Sequence, residues 1–340
     1  MYAYKHPEQL KVKIFYYPLE ETRENVMERF MCYLLYSLSE GKTRISPKDL
    51  RSTDNDHPLP EYILDLLNSD DYTDMLKFFE DNIIFSSSTN ATGVWKECRR
   101  YAEDHGTIHT KKAKITEVDE FTGERKEKEV DAFDYYEPED PKEYRIIFYD
   151  HIGLTSTERG MDLRQSINKL SEYFVTLRNR YGFSPVVIQQ QAFFETTDAF
   201  KMDKLRPSIT NLADSKAVSR DANICLSLFS PYKYELREYL GYDITKFKDN
   251  IRFLEVLINR DGQSNGIVAL FFDGACNYFC ELPAANDRQS IMEVYQYLDD
   301  IRNKTNVTTF AFASGVKKTI EKKKDNKLFR LFNLREKLNI

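Results

Sequence analysis

The stretch YRIIFYDHIGLT, Tyr144 to Thr155, is a short apolar run that ends abruptly in an acid. Residues 146–149 are four consecutive apolar or aromatic side chains, the pattern of a strand buried on both faces. Asp150 then falls where a parallel sheet presents its carboxyl end, the edge at which open α/β sheets bind ligands. Taken alone, the same run reads equally well as a core strand followed by a helix-capping aspartate. The pattern recurs earlier in the chain. Val12 to Tyr17 (VKIFYY) is a second apolar strand, followed by Pro18, Leu19 and Glu20 and then by a helix predicted from about Thr22 to Glu40. In that helix Val26, Met27, Phe30, Met31, Leu34 and Leu35 recur at intervals of three and four and make one buried face; Gly41 is its expected stop.

The chain has 340 residues, 41% of them hydrophobic, enough for one large domain or two small ones with a sizeable core. No apolar run approaches the roughly 20 residues that span a membrane, and MYAYKHPEQL has no secretory segment. These features predict a soluble protein of the cytoplasm. Five cysteines with no CxxC pair predict reduced thiols rather than disulfides or a zinc site. The net charge of −6 is unevenly placed: residues 316–340 hold nine Lys or Arg against three Asp or Glu, a local +6 that leaves −12 for the rest. Bulk charge therefore excludes broad nucleic-acid binding by the body, and any such contact falls to a loop or to the basic tail. In that tail Leu328, Phe329, Leu331, Phe332, Leu334 and Leu338 predict a helix whose apolar side needs a surface to cover.

Gly41-Lys42-Thr43 imitates the end of a phosphate-binding loop. The full pattern GxxxxGK(S/T) requires glycine at position 36, where Tyr36 stands, and a place between a strand and a helix, whereas this one follows a helix. The pattern occurs nowhere else in the chain. Further on, helices are predicted around 61–67, 71–79 and 93–105, with a strand at 82–85. Residues 107–136 read as a charged hairpin turning at 119–124, and a linker, EPEDPKE, follows it. His105 and His109 are spaced like helical metal ligands, but Gly106 breaks that helix, so a solvated pair is the expected reading. A long helix at about 161–181 leads into the strand PVVIQQ, a polar loop at 191–215 and a strand at 224–229. Two strands at 251–258 and 266–272 flank the turn NRDGQSNG, and a helix at 287–302 precedes the tail.

Strands alternating with helices and ending in polar residues predict a mainly parallel α/β sheet. From Val12 to about Leu282 the order of motifs resembles the RecA-like motor domain of DnaB-family replicative DNA helicases. The matching stretches are IFYYPLEE (14–21), RIIFYDHIGL (145–154), PVVIQQQ (185–191), LRPSITNLADSKAVSRDAN (205–223) and NRDGQSNGIVALFFDGACNYF (259–279). The resemblance implies a RecA-like sheet flanked by helices, with an inserted β-hairpin at 107–140 and a basic C-terminal tail. It divides the chain into a motor domain, 1–283, and a C-terminal helical extension, 284–340. It implies ATP-driven unwinding of duplex DNA by translocation on single-stranded DNA, with ATP and Mg²⁺ as cofactors and a ring-shaped homo-hexamer as the assembly. Carried over position by position, Glu20 polarises the attacking water, Asp150 holds Mg²⁺ through water, Gln191 senses the γ-phosphate, and Arg260 reaches into a neighbouring subunit's nucleotide.

The departures are specific. The family's phosphate-binding loop precedes the strand at Val12, and only eleven residues stand there in this sequence. Ile258 replaces the lysine before the finger, and Ala213 replaces a DNA-loop arginine. DNA contact is therefore expected to be redistributed among Lys201, Lys204, Arg206, Asp214 and Lys216. Two expectations follow: the motor half of a replicative helicase, either truncated at its N-terminus or completed by a separate segment that supplies the phosphate loop, or a degenerate RecA-like module without ATPase activity that serves as a DNA-binding or assembly partner. In both, the isolated chain is expected to hydrolyse ATP poorly or not at all.

Overall fold

The computed structural model describes residues 2–51, 58–118, 125–191, 205–212 and 216–303. Contacts divide these into two units. One is built from residues up to Val26, Asp74–Cys225 and Leu257–Ser264; the other from Met27–Thr73, Leu226–Val256 and the residues from Asn265 on.

The first unit is organised on a sheet of order β2-β1-β5-β6, with β1 at Lys11–Pro18, β2 at Ile83–Phe85, β5 at Glu143–Asp150 and β6 at Phe183–Val187. All three pairings are parallel, as the runs of apolar residues predict. Side chains alternate along each strand. Phe15, Tyr17, Ile147, Tyr149 and Phe183 share a buried cluster with Val94 and Cys98 of the helix Ala91–Asp104 and with Leu170 and Phe174 of the helix Leu163–Tyr181. Both helices start where side chains cap their free N–H groups. Asn90 accepts from Gly93 N, and Asp162 and Gln165 form a reciprocal capping box. Burial pushes the Cys98 thiol up to about 12, as suits an inert core cysteine.

The hairpin is present as β3 (Gly106–Val118) and β4 (Arg125–Pro138), with the expected turn at 119–124 outside the described residues. Its base is less peripheral than an insertion at 107–140 suggests. Phe133 and Tyr136 pack against Tyr181 at ring separations of 5.6 and 5.7 Å. Tyr136 Oη accepts from Nη1 of the buried Arg145 at 2.7 Å and donates to the His105 carbonyl at 3.0 Å. Deleting Thr110 to Glu137 would therefore strip a buried guanidinium of a partner and open the core beside Tyr181. Removing only Ala113 to Val130, a facing pair in the register, and joining Lys112 to Asp131 through a two-residue turn is expected to change stability by less than about 1 kcal/mol, because the ion pairs out there are exposed. The longer deletion is expected to cost more than about 3 kcal/mol. Urea denaturation of the two variants checks both values.

The second sheet has the order β12-β11-β10-β7, with β7 at Ile224–Phe229, β10 at Ile251–Asn259, β11 at Ile267–Asp273 and β12 at Tyr278–Glu281. β10, β11 and β12 pair antiparallel. Phe253 and Phe271 share a core with Ile291, Val294 and Leu298 of the helix Arg288–Arg302. That helix, expected to open a separate extension at 284, is thus packed into the second unit. Gly41 takes a φ of +83° and its N–H closes the preceding helix on the Tyr36 carbonyl at 2.7 Å, so Gly41-Lys42-Thr43 is a helix stop. Among the described residues no helix is long and apolar enough to cross a membrane.

Candidate functional site

Parallel pairing in register decides where the acids fall. Pro18 faces Asp150 across β1 and β5, and Leu19 N donates to the Asp150 carbonyl at 2.8 Å, so the chain leaving β1 crosses the end of β5 and sets Glu20 beside it. Tyr16 Oη donates to Asp150 Oδ2 at 3.5 Å, the long limit of a hydrogen bond. His151 Nε2 stands 4.0 Å from Glu20 Oε2, while its Nδ1 accepts from Gly153 N at 3.2 Å. Among the described residues no Lys or Arg pairs with either Glu20 or Asp150. Partial burial, reinforced by the charge of Glu20, raises the Asp150 carboxyl above its ordinary range.

The sign of that shift gives an expected result. A carboxyl raised on folding contributes stability that is present in acid and lost as pH rises through its folded-state pKa. Asp150→Asn is therefore expected to raise the melting temperature near neutral pH, with the gain shrinking as the solution is acidified. Thermal melting of both forms across that range measures it; a gain independent of pH would assign it to something other than the charge.

β6 ends at Val187, but Ile188 N still donates to Tyr149 O at 3.0 Å and the Ile188 carbonyl accepts from Ile152 N at 2.9 Å. The chain so held runs off the same carboxyl edge to Gln191, whose backbone forms an isolated bridge with Leu212. Glu20, Asp150 and Gln191 thus follow three neighbouring parallel strands. Arg260 is positioned differently. It follows β10, its N–H donates to the Asn223 carbonyl at 3.0 Å, and its guanidinium donates to the Arg220 carbonyl. None of its recorded contacts is with the three strand-end residues.

Of the expected DNA-binding residues, Lys201, Lys204 and Asp214 lie outside the described residues, as does Ala213. Arg206 and Lys216 are exposed. Lys216 lines a cleft of about 490 Å³ together with Arg164, Arg220 and Ile258. Arg164 and Arg220 escaped the reading of the sequence because they come from different elements; the only hint was Arg220 inside the SRDAN block. His151 was missed as well, since a histidine after a strand-ending acid reads as a loop residue. His105 stacks on Tyr101 and His109 pairs with Glu137 at 3.1 Å, so each imidazole has a protein partner. Asp150, a half-buried carboxylate that pairs with no Lys or Arg among the described residues, suits a hard divalent ion such as Mg²⁺ held partly through water.

No protein-family model and no curated protein matches the chain. Among solved structures, a DnaB-like replicative helicase, described with its interactions with primase, superposes with a TM-score of 0.53 at 14% identity, covering 80% of this chain and 51% of that one. A second, an ATPase domain, superposes with a TM-score of 0.51 at 13% identity, covering 80% of this chain and 75% of that one. This chain thus spans about half the length of the first. Identities this low speak for architecture alone, and the architecture agrees with the strand-end acids already placed: this chain has the RecA-like fold of the DnaB-like replicative helicases.

Proposed function

We propose that this chain is the motor part of an ATP-driven DNA helicase that translocates on single-stranded DNA as one subunit of a ring. The observation that carries the reading is the pair of carboxylates, Glu20 and Asp150, at the carboxyl edge of a parallel sheet, with which no Lys or Arg pairs among the described residues. Such a pair repels itself unless a metal and a polarised water occupy the space. In the proposed reaction Glu20 accepts the proton of a water as its oxygen attacks the γ-phosphorus, and the bond from that phosphorus to the ADP oxygen breaks. Mg²⁺, held by Asp150 through water, would neutralise charge on the β- and γ-phosphates. Gln191 reports the γ-phosphate to the polar loop that follows it, and Arg260 serves a neighbouring subunit, which accounts for its position away from the strand-end residues. Lys216, Arg206, Lys201, Lys204 and Asp214 are the proposed DNA contacts. The motor is assigned to 1–283 together with the helix Arg288–Arg302 that packs on the second sheet, and the assembly to the cytoplasm.

The test is ATP hydrolysis with and without single-stranded DNA, together with displacement of an annealed strand, by this chain alone and by the chain supplied with a segment bearing a strand and a phosphate-binding loop. DNA-stimulated turnover supports the motor. A second reading, a degenerate module acting as a DNA-binding or assembly partner, draws on Ile258 and Ala213 at positions where the resembled family carries cations. DNA binding without turnover would favour that reading.

A further inference from the structure

Glu20 is exposed where its neighbour His151 is enclosed: the two side chains are 56% and 12% accessible. The chain around the imidazole belongs to the core. Ile152, fully buried, donates its N–H to the Ile188 carbonyl at 2.9 Å, and Leu154 N donates to the His151 carbonyl at 3.1 Å. Tyr149, two residues earlier and fully buried as well, has its hydroxyl 3.2 Å from that of Thr155. From this fixed stretch the His151 ring faces the strand-end acids, with Nε2 4.0 Å from Glu20 Oε2. Among the described residues it is the one side chain that pairs with the Glu20 carboxylate.

The other ring nitrogen decides which proton the ring carries. Nδ1 accepts from Gly153 N at 3.2 Å, in the short 3-10 turn Ile152–Leu154 that His151 caps. A ring nitrogen that accepts a hydrogen bond bears no proton, so the neutral imidazole holds its proton on Nε2. That is the nitrogen turned to Glu20, and it meets the carboxylate as a donor. With Nδ1 engaged and Nε2 protonated, neither nitrogen offers a free lone pair to a metal. A separation of 4.0 Å is longer than a hydrogen bond. Hydrogen bonds to catalytic groups are often long before substrate binds and tighten afterwards, and the exposed Glu20 side chain is the half of this pair able to close the gap.

We propose that His151 is a positioning residue for Glu20: its Nε2–H donates to Oε2 of the carboxylate and so aims Oε1 at the attacking water. A glutamate with both oxygens unheld visits several rotamers, few of which reach that water. A donor fixed on the core selects among them, which is the entropic part of catalysis done in advance. In the step itself Glu20 Oε1 takes the proton of the water as the water oxygen bonds to the γ-phosphorus and the bond from that phosphorus to the ADP oxygen breaks. The His151 proton stays on Nε2 throughout. The role in hydrolysis rests on the motor reading; the pairing of His151 with Glu20 does not.

Two substitutions separate the duties of the two nitrogens. His151→Asn keeps an oxygen that can accept from Gly153 N but is too short to reach Glu20, whereas His151→Gln carries an amide N–H near the place of Nε2 and gives up the cap. In the chain supplied with a phosphate-binding segment, His151→Asn is expected to lower kcat for ATP about ten- to a hundredfold with KM unchanged. His151→Gln is expected to recover most of that loss while lowering the melting temperature by about 2 °C. A rate that follows the cap instead, kept in His151→Asn and lost in His151→Gln, would overturn the proposal. The pairing is read in this chain alone by nitrogen NMR with its five histidines labelled, His151 being the signal that disappears in His151→Gln. At about pH 8, above the ordinary imidazole range, the proton is expected on Nε2, and Glu20→Ala is expected to shift that resonance. A proton on Nδ1, or a resonance indifferent to Glu20→Ala, would overturn the pairing. The NMR signature without turnover in any form would defeat the motor reading and the positioning role with it, leaving the pairing. Turnover that depends on Glu20 but is indifferent to His151→Asn would defeat the positioning role and keep the motor.

Discussion

In the chain supplied with a phosphate-binding segment, Glu20→Gln is expected to lower single-stranded-DNA-stimulated ATP turnover by about 10²- to 10⁴-fold, the usual contribution of a positioned general base, while leaving affinity for the nucleotide intact. The amide has the shape of the carboxylate but cannot take the proton of the attacking water. Glu20 is well placed for that role, because the Leu19 N–H bond to the Asp150 carbonyl fixes the chain just before it, while its own side chain remains 56% exposed. An exposed isosteric change of this kind should shift stability by no more than about 0.5 kcal/mol, so a fall in turnover would report chemistry rather than unfolding. Asp150→Asn should differ in kind: on the proposed reading it removes the charge that would hold the metal, so the Mg²⁺ concentration needed for half-maximal turnover should rise together with the loss of rate. Measuring phosphate release against ATP and against Mg²⁺ for both variants separates the two roles. Full turnover in Glu20→Gln would remove it from the reaction.

The strand-end acids were legible because each closes a run of apolar residues. An uninterrupted run such as Ile146 to Tyr149 is tolerated only in a strand buried on both sides, which argued for parallel pairing before any partner was known. The same rule exposes what was harder to see. Val186 in β6 and Ile188 just after it belong to a run that reads as a buried strand, yet both side chains are exposed. β12 went unread although Gly274 and Asn277, the latter at φ +51°, signal the turn before it. The hairpin was legible from its charge alternation, but not its anchorage: nothing in the spacing of Phe133 or Tyr136 says that they meet Tyr181 and Arg145. The cleft of Arg164, Lys216 and Arg220 likewise gathers residues from separate elements. Local pattern gives element and edge, whereas contacts between distant segments depend on packing that no single window contains.

The contact Arg44–Asp273 is of that long-range kind, spanning 229 positions, and it carries the largest stability effect expected in the second unit. Asp273 ends β11 with its side chain 1% exposed. It accepts from Arg44 Nη2 at 2.8 Å and from Arg44 Nε, and its Oδ1 also accepts from Ala275 N at 3.0 Å. Arg44 is 34% exposed at its side chain, so the two halves of the pair are not equivalent. Arg44→Ala leaves a buried carboxylate with one backbone donor and is expected to cost about 3–5 kcal/mol. Asp273→Asn leaves a guanidinium that can still reach water and is expected to cost less, about 1–3 kcal/mol. The two changes combined should be less harmful than their sum, since the amide no longer strands a charge. Urea midpoints at constant m check the sizes and their order. A loss in Arg44→Ala below about 1 kcal/mol, the range of exposed ion pairs, would show that water reaches Asp273 once the arginine is gone.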